Sequence, residues 1–249
     1  MKSKKRLSGA ARAVVLLSGG LDSATTLYLA KRQGFLPLCL IFDYAQRHKK
    51  EINAAKQIAR AADAAFQVIK ITLPWKGSSL LDRDKKIPLV SERQSPQGGA
   101  PLNQRLLCGG VRVSEQIPST YVPARNIIFL SFALSCAESI GAQAIFIGAH
   151  AQDYSGYPDC RPEFYKAFEK VIAQGTKAGV EGKRIKVYTP LIHKGKAQII
   201  RLGIALGVPF KLTWSCYKGK KTPCGSCDSC YYRAKGFKEA GFSAPALHV

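Results

Sequence analysis

The chain has 249 residues, enough for one α/β domain with an appendage and a sizeable core, and its 46% hydrophobic share is that of an ordinary globular protein. No apolar run approaches the roughly 18 residues of a membrane span, and the basic start at Met1 leads only to a short apolar segment, so neither an anchor nor a signal peptide is expected; a cytoplasmic protein is. Lys and Arg number 38 against 16 Asp and Glu, a formal net charge of +22 that invites phosphate-bearing partners, yet the basic residues are spread along the chain rather than gathered in one stripe with aromatics.

The apolar run 13–17 reads as a buried parallel strand, and residues 24–30 after the hexapeptide SGGLDS read as a helix. Gly34 is placed as that helix's C-cap, a second strand covers 36–42, and 49–63 has helical composition. A third strand follows at 66–71. Residues 74–118 carry Gly, Pro, Ser and Gln with little periodicity, which predicts a lid or insertion with some structure of its own. A helix over 126–140 ends at Gly141, and a fourth strand covers 144–148. Pro162 opens a helix that runs toward Gly175, 185–188 forms a fifth strand, and a last helix spans 196–206. Alternating strands and helices predict an α/β fold, a parallel sheet with helices on both faces over 1–210 and a small C-terminal metal-binding segment over 211–249. Ligands of such sheets bind at the C-terminal strand edge.

That edge carries SGGLDS, residues 18–23, at a strand-to-helix turn where free N–H groups and the helix dipole favour an anion. Gly19 and Gly20 let the backbone approach it, and the hydroxyls of Ser18 and Ser23 add donors. An acidic Asp22 in such a loop points to metal bridging or N-capping. No Gly-Lys-Ser/Thr ending follows, so the loop is not a Walker A motif. The hexapeptide resembles the pyrophosphate loop of the N-type ATP pyrophosphatases, which adenylate a carbonyl or carboxyl oxygen. That resemblance implies the adenine nucleotide alpha-hydrolase-like (PP-loop) fold. It also implies ATP held by Leu17, Ser18, Gly19, Gly20, Leu21, Asp22, Ser23, Ala24 and Thr25, with Mg²⁺ assisting at Asp22.

Eight cysteines divide into a scattered set (Cys39, Cys108, Cys136 and Cys160) and a clustered one (Cys216, Cys224, Cys227 and Cys230). The first set reads as small buried hydrophobes. The spacing x7, x2, x2 of the second gives CxxC knuckles and four thiolates for one tetrahedral Zn²⁺. An iron–sulfur cluster is the rival reading, since four thiolates suit it too. With every position filled by protein, the site is expected to be structural.

Further strings lie in order after the loop: YAQRH (44–48), YVPARN (121–126), DYSGYPDCR (153–161), SCY (215–217) and CGSCDSC (224–230). Together with SGGLDS they resemble the 7-cyano-7-deazaguanine synthase family (QueC) from about Ala13 to Gly241, with 74–118 poorly matched. The resemblance implies an ATP-dependent ligase that takes 7-carboxy-7-deazaguanine and ammonia through an amide to the nitrile, in queuosine and archaeosine precursor synthesis. It also suggests a homodimer.

In that reading Ser18 and Asp22 serve catalysis at the phosphates, and Lys196 either neutralises phosphate charge or is a solvated lysine. Asp153 or Asp159 accepts from the amidine-like edge of the base, and Tyr154 or Tyr157 stacks on it. Arg125 and Arg161 are candidates for the carboxylate or the phosphates, and His48 for proton transfer. Ala45 departs from the Gly or Asn often found at its position in the family. The alternative is a PP-loop enzyme that adenylates a tRNA base or another macromolecular target; a tRNA would use the net charge of +22.

Overall fold

The computed structural model describes residues 10–46, 49–75, 78–82, 84–87, 89, 106–107, 111–112, 117, 119–150 and 157–245. Its strands are β1 (Arg12–Leu16), β2 (Leu36–Asp43), β3 (Ala65–Lys70), β4 (Leu106–Leu107), β5 (Val111–Arg112), β6 (Ala144–Phe146) and β7 (Lys186–Tyr188). Five of them form one parallel sheet in the order β3-β2-β1-β6-β7, and β4 and β5 form a short antiparallel pair. The sheet order reverses direction between β1 and β6. In a doubly wound sheet that switch opens a crevice beyond the strand ends.

The central strands are apolar on both sides because both faces are covered. Ala13, Val15, Leu17, Cys39, Ile41, Ala144 and Phe146 belong to one core, and Val14, Leu16, Leu40, Phe42, Ile145, Ile147 and Val187 to the other, as the two-residue period of a strand requires. The first core is closed by α1 (Leu21–Arg32), α2 (Lys50–Ala61), α6 (Lys196–Ala205) and α7 (Asp228–Ala240). The second is closed by α3 (Arg125–Ile140) and α4 (Pro162–Gly175), with the single-turn α5 (Lys177–Val180) following. Of the scattered cysteines, Cys39 and Cys160 are buried as expected, and burial pushes the Cys39 thiol up to about 12. Cys136 is half-buried, and Cys108 lies outside the described residues.

One expectation fails. The helix over 196–206 is not the last, because α7 follows the cysteines. The inward residues of α7 are Cys230, Arg233, Gly236, Phe237 and Ala240, at helical spacing but mostly not apolar, so hydrophobic periodicity does not announce it. α7 lies close on α6. A β-carbon at Gly236 would come within 2.4 Å of Lys196 Cγ and 3.0 Å of Ile200 Cδ1, so only glycine permits the contact.

The described residues of the aperiodic segment carry structure of their own. Ser79 N donates to Ser119 O at 2.7 Å, Ile87 is buried against Trp214 and the cysteines, and Leu89 bridges to Cys227 as an antiparallel pair.

Candidate active site

The glycine loop follows β1 at the switch point, and Gly20 caps α1 in extended conformation (φ −78°, ψ 165°). Gly19 has φ +86°, where a side chain is strained, and a β-carbon there would meet Glu51 O at 2.3 Å and Ala55 N at 2.8 Å. The loop is therefore pressed against α2, and Trp214 N holds it from the other side by donating to Gly19 O at 2.9 Å. The two serine hydroxyls meet at 3.0 Å. Ser18 N donates to Ser23 Oγ at 3.2 Å, Gly20 N to Ser18 Oγ at 3.4 Å, and Ser23 Oγ to Gly20 O at 3.1 Å. Leu17, Ser18, Gly20, Asp22 and Ser23 line a cavity of about 280 Å³, whereas Gly19, Leu21, Ala24 and Thr25 do not line it. The Thr25 hydroxyl is spent on Leu21 O at 2.8 Å inside the helix.

Lys196, at the first position of α6, reaches across the switch. Its Nζ donates to both oxygens of Asp22 at 2.9 Å and lies 2.8 Å from His150 Nε2. An ammonium has no lone pair, so the imidazole nitrogen accepts. A cation at a helix N-terminus works against the dipole, and the carboxylate in the first turn of α1 is what holds it there. Burial pushes the Asp22 carboxyl up, but nearby positive charge, foremost the Lys196 ammonium bonded to both its oxygens, outweighs it and holds the group below the usual carboxylate range. His150, only 3% exposed, is a site residue that the sequence reading missed. Its one signal is its place after Gly148 beyond β6, where a β-carbon on Gly148 would meet Ser23 N at 3.0 Å.

Away from the loop the cavity is lined by Phe42, Tyr44, Glu51, Thr120, Arg125, Asn126, Phe129, Tyr157 and Cys160. Arg125 Nη1 donates to Tyr44 Oη at 3.4 Å. The Tyr157 and Thr120 hydroxyls meet at 2.6 Å, and the Tyr157 ring stacks on Tyr121 with centroids 6.0 Å apart. Asp159 and Arg161 do not line the cavity. Asp159 Oδ2 accepts from Asn126 N at 3.0 Å, and its carbonyl from Asn126 Nδ2 at 3.1 Å, so this carboxylate caps the start of α3 and fixes Arg125 beside it. Arg161 is the N-cap residue of α4. His48, Asp153 and Tyr154 lie outside the described residues.

Glu51, in the first turn of α2, is a second omission of the sequence reading. Burial raises its carboxyl to about 7, with Arg125 opposing the rise and Cys216 adding to it.

Ala45 stands in the left-handed region at φ 61°, which explains why glycine or asparagine suits this position. Ala45→Gly is expected to stabilise the protein by about 0.5–1 kcal/mol, a gain of about 1–4 °C in melting temperature. An unchanged or lower melting temperature would contradict that assignment of strain.

The four clustered cysteines come together. Their sulfurs all lie within 4.8 Å of one another, with Cys224 and Cys230 at 4.0 Å. Tetrahedral zinc thiolates at about 2.3 Å from the metal stand roughly 3.8 Å apart, so the set fits one ion with little movement. Backbone N–H groups support the sulfurs: Cys224 N donates to Cys216 Sγ at 3.3 Å and Cys227 N to Cys224 Sγ at 3.4 Å. Gly225, at φ +70°, makes the knuckle turn. Trp214, Ser215, Tyr217 and Ser229, which flank the cysteines, line the cavity, so the knuckle is one of its walls.

Residues 12–241 match the family described as "Queuosine biosynthesis protein QueC". The chain is 48% identical over 237 residues to a 7-cyano-7-deazaguanine synthase from Clostridium kluyveri, covering 94% of this chain and 96% of that protein. It is 47% identical over 241 residues to a protein of the same name from Anaeromyxobacter sp., covering 96% of each. Among solved structures it is similar to NMN synthetase from Francisella tularensis at 15% identity and a TM-score of 0.47, over 96% of this chain and 80% of that one. Across nearly its whole length, from β1 to the end of the cysteine helix, this chain belongs to the QueC family.

Proposed function

We propose that the chain is an ATP-dependent carbon–nitrogen ligase that converts 7-carboxy-7-deazaguanine and ammonia to 7-cyano-7-deazaguanine in queuosine precursor synthesis. The observation that carries the reading is one continuous cavity. It has a phosphate loop with Asp22 at one end, where Lys196 holds the carboxylate from outside the lining, and Arg125 with tyrosine and phenylalanine rings at the other. A flat purine-like acid fits the second end, where Arg125 receives its carboxylate and Tyr157 or Tyr44 packs on its ring. The first end receives the triphosphate of ATP. Ser18, Ser23 and the free N–H groups of α1 cradle the departing pyrophosphate, and Lys196 offsets its charge. Asp22 lines the cavity and is the residue we assign to Mg²⁺, which neutralises phosphate charge when bound.

Cys216, Cys224, Cys227 and Cys230 are assigned to Zn²⁺. An all-thiolate shell has no open position, so the metal braces the cavity wall and takes no step in the reaction. Residues 211–249 thus serve the domain formed by 1–210 as a metal-braced wall. We assign the protein to the cytoplasm, where thiolates stay reduced. A homodimer is supported by the outer face of α3, where Ile127 and Phe132 are exposed, and sedimentation equilibrium tests it.

The function is tested by incubating the protein with ATP, Mg²⁺, ammonium and 7-carboxy-7-deazaguanine and identifying products by mass spectrometry. The nitrile is expected, and ATP consumed without any new deazaguanine product would overturn the reading.

A further inference from the structure

Nitrile synthesis strips three protons from nitrogen. Ammonia attacks the acyl adenylate; the C–N bond forms, AMP leaves with the C–O electron pair, and one proton departs to leave the amide. The amide oxygen then takes an adenylyl group from ATP while pyrophosphate leaves. A second proton departs from nitrogen to give the imidate. Finally the remaining N–H pair becomes the third C–N bond as AMP leaves again, and the third proton is released. No atom changes oxidation state, because loss of water is not a redox step, so the protein must supply a base rather than a redox partner.

Two carboxylates line the cavity among the described residues, Asp22 and Glu51. Asp22 sits at the phosphate end with both oxygens engaged by Lys196 at 2.9 Å. Glu51 is positioned by α2, whose first turn is locked against the loop through the close approach of Gly19 to Glu51 O. It is thereby fixed relative to the site where adenylation takes place. Its charge environment is set by Arg125 from α3, Tyr44 from the segment after β2 and Cys216 from the cysteine loop. Arg125 is also the residue assigned to the substrate carboxylate, so the carboxyl carbon that ammonia attacks is brought to the Glu51 side of the cavity.

Resting on the synthase reading above, we propose that Glu51 is the general base that takes the protons from the ammonia-derived nitrogen and returns them to solvent. A base works best with an affinity for protons near the working pH, and burial in the cavity wall shifts the Glu51 carboxyl upward from the ordinary carboxylate range. The bland role, a structural counter-ion for Arg125, predicts a different pattern of defects.

The test is Glu51→Gln, which keeps the shape and removes the base, with Glu51→Asp as the variant that keeps a carboxylate. Activation of the acid involves no nitrogen and is read separately, as acid-dependent exchange of labelled pyrophosphate into ATP. Glu51→Gln should keep that exchange within about threefold while amide and nitrile formation each fall about a hundredfold, the span of a lost general base. At a fixed concentration of free NH3, the single-turnover rate of amide formation by the wild type should fall with decreasing pH, because the base becomes protonated, and the Gln variant should lack this acid limb. Glu51→Asp should recover at least about a tenth of the rate.

Nitrile formation by Glu51→Gln within about threefold of wild type would overturn the proposal. So would a parallel loss of exchange and synthesis, which would make Glu51 the support of Arg125. A wild type with no acid-dependent exchange would overturn the synthase reading, and this proposal with it.

Discussion

Asp22→Asn is expected to cut turnover about a hundredfold or more while the protein stays folded. Both Asp22 oxygens accept from Lys196 at 2.9 Å, and His150 Nε2 stands 2.8 Å from the same ammonium. Asparagine keeps the shape but removes the charge that draws Lys196 to the phosphate end, and it removes the group assigned to Mg²⁺. Losing one preorganised charge-stabilising group in a site of this kind costs about 3–4 kcal/mol in the transition state. The ion pair is partly exposed, with Lys196 12% and Asp22 24% accessible, so its contribution to folding is smaller than its contribution to catalysis.

Steady-state rates beside thermal unfolding separate these effects, and Lys196→Met completes a double-mutant cycle. The two residues act as one unit, so the double variant should lose little beyond either single one. Additive losses, or near-normal turnover in Asp22→Asn, would remove the pair from the mechanism.

Cys227→Ser should lower metal content and melting temperature together. Cys227 is buried, pairs with Leu89, and is the N-cap of α7, so loosening the metal shell releases the start of that helix. Metal bound by such a short knuckle is largely folding energy, and a loss of about 3 kcal/mol corresponds to about 6–12 °C in a chain of this size. Activity should fall as well, because Trp214, Ser215, Tyr217 and Ser229 lose their support as a cavity wall. Elemental analysis is expected to find one zinc per chain in a colourless protein. Iron with visible absorbance would mean a cluster instead. A metal-free variant that stays folded yet is inactive would give the metal a part in the reaction.

The elements that carry their own local signal were legible in the sequence. β1, the glycine loop and α1 form an apolar run, a glycine turn and a helix in immediate succession; the structure places β1 one residue from expectation and starts α1 at Leu21, three residues earlier, inside the hexapeptide. The cysteine spacing was equally direct, because a knuckle is a local event and its four sulfurs meet without help from distant chain. Family resemblance reached further than either. It rests on short strings that individually say little about geometry.

Legibility ended where a residue's role depends on what faces it. Lys196 reads equally as solvated or functional until α6 is set against Asp22, 174 positions away. His150 and Glu51 carry no motif of their own; one is placed by the end of β6 and the other by the packing of α2 on Gly19. Asp159 sits in the most family-specific string, yet its carboxylate turns to Asn126 N, because the first N–H groups of a helix need an acceptor.

By itself, then, the sequence determined the α/β alternation, the glycine loop, the four-cysteine cluster and the family. All of these are written in contiguous residues whose preferences are short-ranged. The strand order β3-β2-β1-β6-β7, the existence of α7 on α6 and the convergence of Asp22, Lys196, His150, Glu51 and Arg125 were decided only by the tertiary structure. Pairing between strands and burial between helices are long-range choices that no local pattern encodes.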